Sequence, residues 1–231
     1  MQLHLVGRHA TVSVHPLVDG SPTHTVPPTS SPSPLRADAR RNRERIIAAA
    51  TELFVEQGVD VPLDAIARRA GVGIGTLYRR FPDRGALAHA VALHTYATMR
   101  TVAEEACHDA RPLRAVLGRL GELRVAVMMS SLAPMLHAME SDALDAAFDG
   151  VIEAVRDLAT RAKELGELRD DVTADDLLLL GALITRPLEG VPAPHLDAVF
   201  PRLLHLVLEG LQPRAEATPA PVGPPPLDPP G

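Results

Sequence analysis

Apolar residues in the first half of the chain recur at helical spacing. Ile46, Ile47, Ala50, Leu53 and Phe54, with Gln57 next in the series, lie on one face of a 3.6-residue period, and Gly58 predicts a left-handed cap behind them. After Pro62, the set Leu63, Ile66, Ala67 and Ala70 repeats at i, i+3, i+4 and i+7, and Gly71 ends this second helix after two turns. A third short helix is predicted from about Gly73 to Phe81, where Pro82 stops it. A longer helix begins near Asp83, a good N-cap residue, and reaches about Glu105.

The second half is punctuated in the same way. "RPLRAVLGRLGELRVAVMM" reads as one helix with Pro112 in its first turn, and the proline in "SLAPMLHAMES" ends or kinks the next stretch. "DALDAAFDGVIEAVRDLATRAKELG" is strongly amphipathic and closes at Gly166. Thr173 with Asp176 resembles a capping box, although the box prefers the longer Glu or Gln. The helix behind it runs to about Thr185, "RPLEGVPAP" is a loop, and "HLDAVFPRLLHLVLEGL" is the last helix, with Pro201 at a kink. Residues 1–35 and 212–231 are rich in proline without helical periodicity and read as disordered tails. The fold class expected is all-α: an N-terminal three-helix unit over 39–98, then a larger helical unit over 99–211.

Composition supports this reading. Hydrophobic residues make up 46% of the chain but aromatics only 3%, so alanine and leucine, both good helix formers, must supply most of the core. The single cysteine, Cys107, rules out an internal disulfide and a multi-cysteine metal site. The N-terminus lacks the pattern of a signal peptide. The most apolar run, Leu177 to Ile184, is far short of the roughly 20 residues that span a bilayer. A soluble, cytoplasmic protein is expected. The formal charge is −6, unevenly distributed. Between Arg36 and Arg84 ten arginines face seven carboxylates, a net +3, which leaves 13 basic and 22 acidic residues, a net −9, on the remainder. A basic block on an acidic body points to one end that meets an anion.

The stretch "AGVGIGTLYRRF" at 70–81 narrows that anion. A nucleotide-binding glycine loop follows a strand, whereas "LDAIARRA" ahead of it is helical, and "GVGIG" fits no phosphate-loop spacing. Two short helices joined through Gly71 are instead a helix-turn-helix. Leu63, Ile66, Ala67, Val72, Leu77 and Phe81 lock the pair against the first helix, which leaves Ile74, Gly75, Thr76, Tyr78, Arg79 and Arg80 facing outward. Gly73 and Gly75 keep the helix start slim for close approach to a groove. Tyr78 can hydrogen-bond a phosphate, and Arg79 or Arg80 can fork onto guanine or onto a phosphate.

The run from about Arg40 to Leu87, with its core "IA-x-x-AGVG-x-GTLYR-x-F-P", resembles the DNA-binding domain of the TetR family of bacterial transcriptional regulators. "GELRDDVTADDLLLL" is similar to the stretch before the penultimate helix in a subset of that family. The resemblance implies a homodimer with an N-terminal reader of double-stranded operator DNA and a helical domain that binds a small effector. Ligand then releases a repressor through movement of the fourth helix. It also implies that Ile74, Gly75, Thr76, Tyr78, Arg79 and Arg80 contact DNA, joined by Arg84 at the start of the fourth helix. Two positions depart from the family pattern. Val61-Pro62-Leu63 stands where Thr or Ser would meet a phosphate, and Gly85 stands where the fourth helix often has an acid, which leaves its first turn weak.

A reader with a net +3 binds weakly alone, so pairing is required. Leu196, Val199, Phe200, Leu203 and Val207 form one apolar face of the last helix, and the helix before it is apolar nearly all round, including Leu177 and Leu180. These two helices are the expected dimer interface. Met99, Met128, Met129, Met135 and Met139, with Cys107, His137 and Phe148, mark either an adaptable pocket for a small, largely apolar ligand or plain core. No cofactor or metal is expected, since no H-x-x-x-H pair occurs and His89 and His94 lie on different helix faces. No catalytic constellation stands out, so the reading is not an enzyme.

Overall fold

The computed structural model describes residues 34–136, 139–184 and 193–213. Among these the chain forms nine helices and no strand. They are α1 (Pro34–Gln57), α2 (Leu63–Arg69), α3 (Ile74–Arg80), α4 (Arg84–Ala106), α5 (Pro112–Glu122), α6 (Val125–Leu136), α7 (Asp142–Glu164), α8 (Ala174–Ile184) and α9 (Ala193–Leu211). The chain is all-α. Among the described residues no helix is long and apolar enough to cross a membrane. Of the tails expected over 1–35 and 212–231, residues 1–33 and 214–231 lie outside the described residues, and α1 itself starts at Pro34; of the loop expected over 186–194, residues 186–192 lie outside them, and Ala193 and Pro194 begin α9.

The helix ends follow the local chemistry. Gly58, Gly71 and Gly166 have φ of +84°, +65° and +70°, the left-handed region that stops a helix at little cost only for glycine. The Asp83 carboxylate accepts a 2.7 Å bond from the Ala86 amide and caps α4. A side chain at Gly85 would bring its Cβ within 3.2 Å of that oxygen, so the glycine keeps the cap uncrowded. At α8 the capping box forms in full: the Thr173 amide donates to Asp176 Oδ2 at 2.8 Å, and the Asp176 amide donates back to Thr173 Oγ1 at 3.2 Å. Aspartate suffices there in place of glutamate.

One predicted helix divides. The stretch 111–129 breaks between α5 and α6, where Arg124 takes a φ of +52°. No glycine or proline marks the break itself. Just before it, the α9 side chain Phe200 packs on Gly121 so closely that a Cβ there would sit 2.3 Å from the ring. The α5 axis is thereby committed to α9, while α6 turns away to pack on α1 and α4.

Two buried clusters result. The first joins α1–α4 around Ile46, Phe54, Ile66, Leu77 and Leu87, all fully buried, and each such side chain contributes about 1.5–3 kcal/mol. Met128 and Leu132 of α6 and Leu144 of α7 complete it. The second joins the C-terminal half of α4 to α5, α7, α8 and α9. Tyr96, midway along α4, touches both clusters. A hydrogen bond of 2.7 Å between His89 Nε2 and Ser141 Oγ adds a polar tie, since Ser141 also caps α7 by accepting from the Leu144 amide. α4, α6 and the start of α7 therefore link the basic N-terminal unit to the larger one.

Candidate nucleic-acid interface and cavity

α2, the Gly71 turn and α3 form a helix-turn-helix on α1, with Leu77 and Phe81 buried beneath. Outward from this support stand Ile74, Gly75, Tyr78, Arg79 and Arg80, all exposed, with Thr76 half-buried. Tyr78 is 50% exposed and has no hydrogen-bond or ring partner among the described residues, so the fold itself makes no use of its hydroxyl. A Cβ added at Gly73 or Gly75 would meet nothing within 4 Å. Space within the chain therefore does not require glycine at either position. The Arg79 guanidinium reaches back to Thr76 Oγ1 at 3.0 Å, which aims it toward the start of α3. At α2 the N-cap is Pro62 with no side-chain cap bond, so only backbone amides are offered there.

The structure sorts the arginines of the basic block. Arg40, Arg41, Arg68 and Arg69 are each ion-paired, with Glu44, Asp38, Asp64 and the Glu52/Glu56 pair. Arg69 is held even more firmly protonated by its bonds to Glu56 and Glu52. Arg43, Arg45, Arg79, Arg80 and Arg84 have no carboxylate partner among the described residues. Of these, Arg43 lies over the Phe81 ring, 5.4 Å from its centroid. Arg84, expected at DNA, donates through Nη1 to the carbonyls of Val59 and of Val61, the latter at 2.8 Å, and ties α4 to the turn after α1. Arg45 bonds only Asn42, at 2.6 Å, and overhangs the Gly71 turn. The unpaired cations thus gather at the turn and α3, a pattern invisible in the net charge.

In the larger unit, α4–α8 enclose a half-open cavity of about 520 Å³. Three of the residues expected there, Met99, Met129 and Phe148, line it, and Cys107 does not. Met128 and Met135 do not; they pack into the first cluster, on the opposite side of α6. Met139 is half-buried and not part of the lining, and His137 lies outside the described residues. Sequence reasoning missed most of the wall. Tyr96, Leu113, Val116 and Ile152 carry ordinary core signatures, and only packing distinguishes a wall from a filled core. Tyr96 and Phe148 pair at 5.5 Å with their rings tilted by 49°. Burial and, secondarily, the charge of Asp145 push the Tyr96 phenol up, which keeps it neutral.

The apolar surface of α8 and α9 is partly covered by the chain itself. Leu177 is buried and Phe200 packs on Gly121, so these two serve the monomer. Val199 and Leu203 are exposed at 46% and 41%, while Leu180 and Val207 are half-buried. The Leu196 side chain lies outside the described residues. Leu179, Leu183 and Leu206 are exposed as well.

Comparison with known proteins agrees with this geometry. A family model described as bacterial regulatory proteins, tetR family, matches residues 46–91, and one described as transcriptional regulator SbtR-like, C-terminal domain, matches 111–213. A TetR transcriptional regulator from Streptomyces coelicolor is similar in structure, with 33% identity and a TM-score of 0.62 over 75% of this chain and 99% of that one. A TetR regulatory protein from Mycobacterium vanbaalenii gives 30% identity and a TM-score of 0.59 over 78% and 99%. A curated HTH-type transcriptional regulator of Staphylococcus aureus is 45% identical over 58 residues. That match spans 25% of this chain and 31% of the relative's length.

Proposed function

The chain belongs to the TetR family of bacterial transcriptional regulators, and from that premise we propose that it is a homodimeric repressor released from its operator by a small, largely apolar effector. The observation that carries the DNA-binding part is the outward face of α3: Tyr78, Arg79 and Arg80 stand exposed on a buried support and have no carboxylate partner among the described residues. In this reading Arg79 reads a base edge, Arg80 and Arg45 meet phosphates, and Ile74, Gly75 and Thr76 lie against the groove. Arg84 positions α4 by its carbonyl bonds and has a secondary role at DNA. Two readers are joined through the exposed leucines and valines of α8 and α9, which an isolated chain leaves in water.

Release follows from the shared walls. α4 and α6 each contribute to the cavity, through Met99 and Met129, and to the first cluster, through Val91 and Met128. A ligand that prefers a wider cavity shifts both helices and thereby the reader, by no more than its differential affinity for the two arrangements. Fluorescence anisotropy on DNA from upstream of the gene tests the proposal. Wild type is expected to prefer that duplex over a scrambled one, and Arg79→Ala to lose the preference at unchanged helicity. Equal weak binding of both duplexes, followed by no selected sequence in a genome-wide binding selection, would overturn it.

A further inference from the structure

Resting on the reading of the cavity as the effector site, we propose that its ligand is a lipophilic monocation: an apolar, ring-bearing body with one positively charged nitrogen held at the mouth by Asp175. Of the twenty described residues that line the cavity, Asp175 alone carries a formal charge, and none is Lys, Arg or His. An anionic ligand would enter an apolar space with no cation to meet it and a carboxylate at its edge, at a desolvation cost of several kcal/mol. Asp175 itself is exposed and makes no hydrogen bond or ion pair among the described residues. Its neighbour Asp176 forms the capping box with Thr173, so the helix start is capped without Asp175.

The rest of the lining suits the body of such a ligand. Tyr96 and Phe148 are two of only six aromatic residues in the chain, and they stand together on one wall. Their tilted pair offers both an apolar surface and a π face to a cation. The neutral Tyr96 hydroxyl adds one donor and acceptor. Beyond the cavity, the −9 carried outside the basic block raises the local concentration of cations and lowers that of anions. A cavity of about 520 Å³ lies within the range of drug-sized sites.

The plainer role of Asp175 is to favour the positive end of α8. The test separates that role from ligand recognition. Three diphenylhexatriene probes share one apolar body: the neutral parent, its trimethylammonium derivative and its propionate. Fluorescence titration of the full chain is expected to rank them cation, neutral, anion, with about two- to fivefold between cation and neutral, the size of one exposed ion pair. Asp175→Asn is expected to remove that preference and leave the neutral probe's affinity unchanged. Asp149→Asn, an exposed carboxylate of α7 outside the lining, is the control for overall charge and should change nothing. Ile152→Trp fills the cavity and is expected to abolish binding of cation and neutral alike. Equal binding of cation and neutral, or a preference that survives Asp175→Asn, overturns the inference while the effector site stands. No binding of any probe, or binding that survives Ile152→Trp, overturns the effector site and this inference together, while operator binding by the same preparation remains the separate measure of the reader.

Discussion

Replacing Arg80 with alanine is expected to flatten the salt dependence of operator binding without erasing its sequence preference. Of the nine arginines of the basic block whose side chains are described, four are ion-paired, Arg43 is held on a ring and Arg84 on carbonyls, which leaves Arg45 and Arg80 for phosphates and Arg79 for a base. Two phosphate contacts per protomer make four per dimer, and each contributes about 0.9 to the slope of log K against log salt, so the wild-type slope is about −3.6. Arg80→Ala removes two contacts and halves it, to about −1.8. From about 50 to about 200 mM salt, wild-type affinity then falls about 150-fold and the variant's about 12-fold. Arg79→Ala should instead keep a slope near wild type and lose discrimination, by about 1–3 kcal/mol for each bidentate base contact. Anisotropy on operator and scrambled duplexes across a salt series reads both quantities. A slope unchanged by Arg80→Ala would refute the assignment. A wild-type slope steeper than about −9 would mean that ion-paired arginines break their bridges to reach DNA, and would refute the sorting of charges from the free chain.

Three further outcomes are expected. Gly121→Ala should destabilise the chain, because a Cβ only 2.3 Å from the Phe200 ring costs about 1–3 kcal/mol of overpacking against about 1 kcal/mol of helix propensity gained; Phe200→Leu in the same chain should restore it, and a single variant at least as stable as wild type in thermal unfolding would sink the account. Leu203→Asp should place a charge in the paired α8/α9 face and shift the mass in sedimentation toward the monomer, with weaker operator binding; an unchanged dimer mass would exclude this residue from the interface. Burial and, next, the charge of Asp157 push the Cys107 thiol up, so its thiolate is scarcer at neutral pH than that of a free thiol. Iodoacetamide should therefore alkylate it more slowly than a model peptide, with the rate still rising above the pH where the peptide levels off. Equal rate profiles would contradict the burial.

Much of the reader was legible in the residues because its signals are local. Gly58, Pro62, Gly71 and Asp83 stop, start or cap a helix through their own backbone freedom and hydrogen bonding, whatever packs around them. The alternation of Leu63, Ile66, Ala67, Leu77 and Phe81 then left one outward face on α3, so its candidate contacts could be named directly. The capping box of α8 and the amphipathic run of α7 were readable for the same reason.

Other features depend on which helix meets which. The break at Arg124 carries no local signal and comes with the commitment of α5 to α9 through Gly121 and Phe200. The methionines looked alike in sequence, yet Met128 and Met135 pack beneath the reader while Met99 and Met129 line the cavity. Arg84 is tied through Nη1 to the carbonyls of Val59 and Val61, contacts 23 and 25 residues away in sequence. Net charge likewise hid the division between paired and unpaired arginines. The sequence by itself determined most of the helices, their caps and the outward face of α3, since each rests on neighbours within about one turn of chain. Tertiary structure alone decided the cavity, its lone carboxylate and the helices shared between cavity and reader, because burial and pairing join residues that sequence keeps far apart.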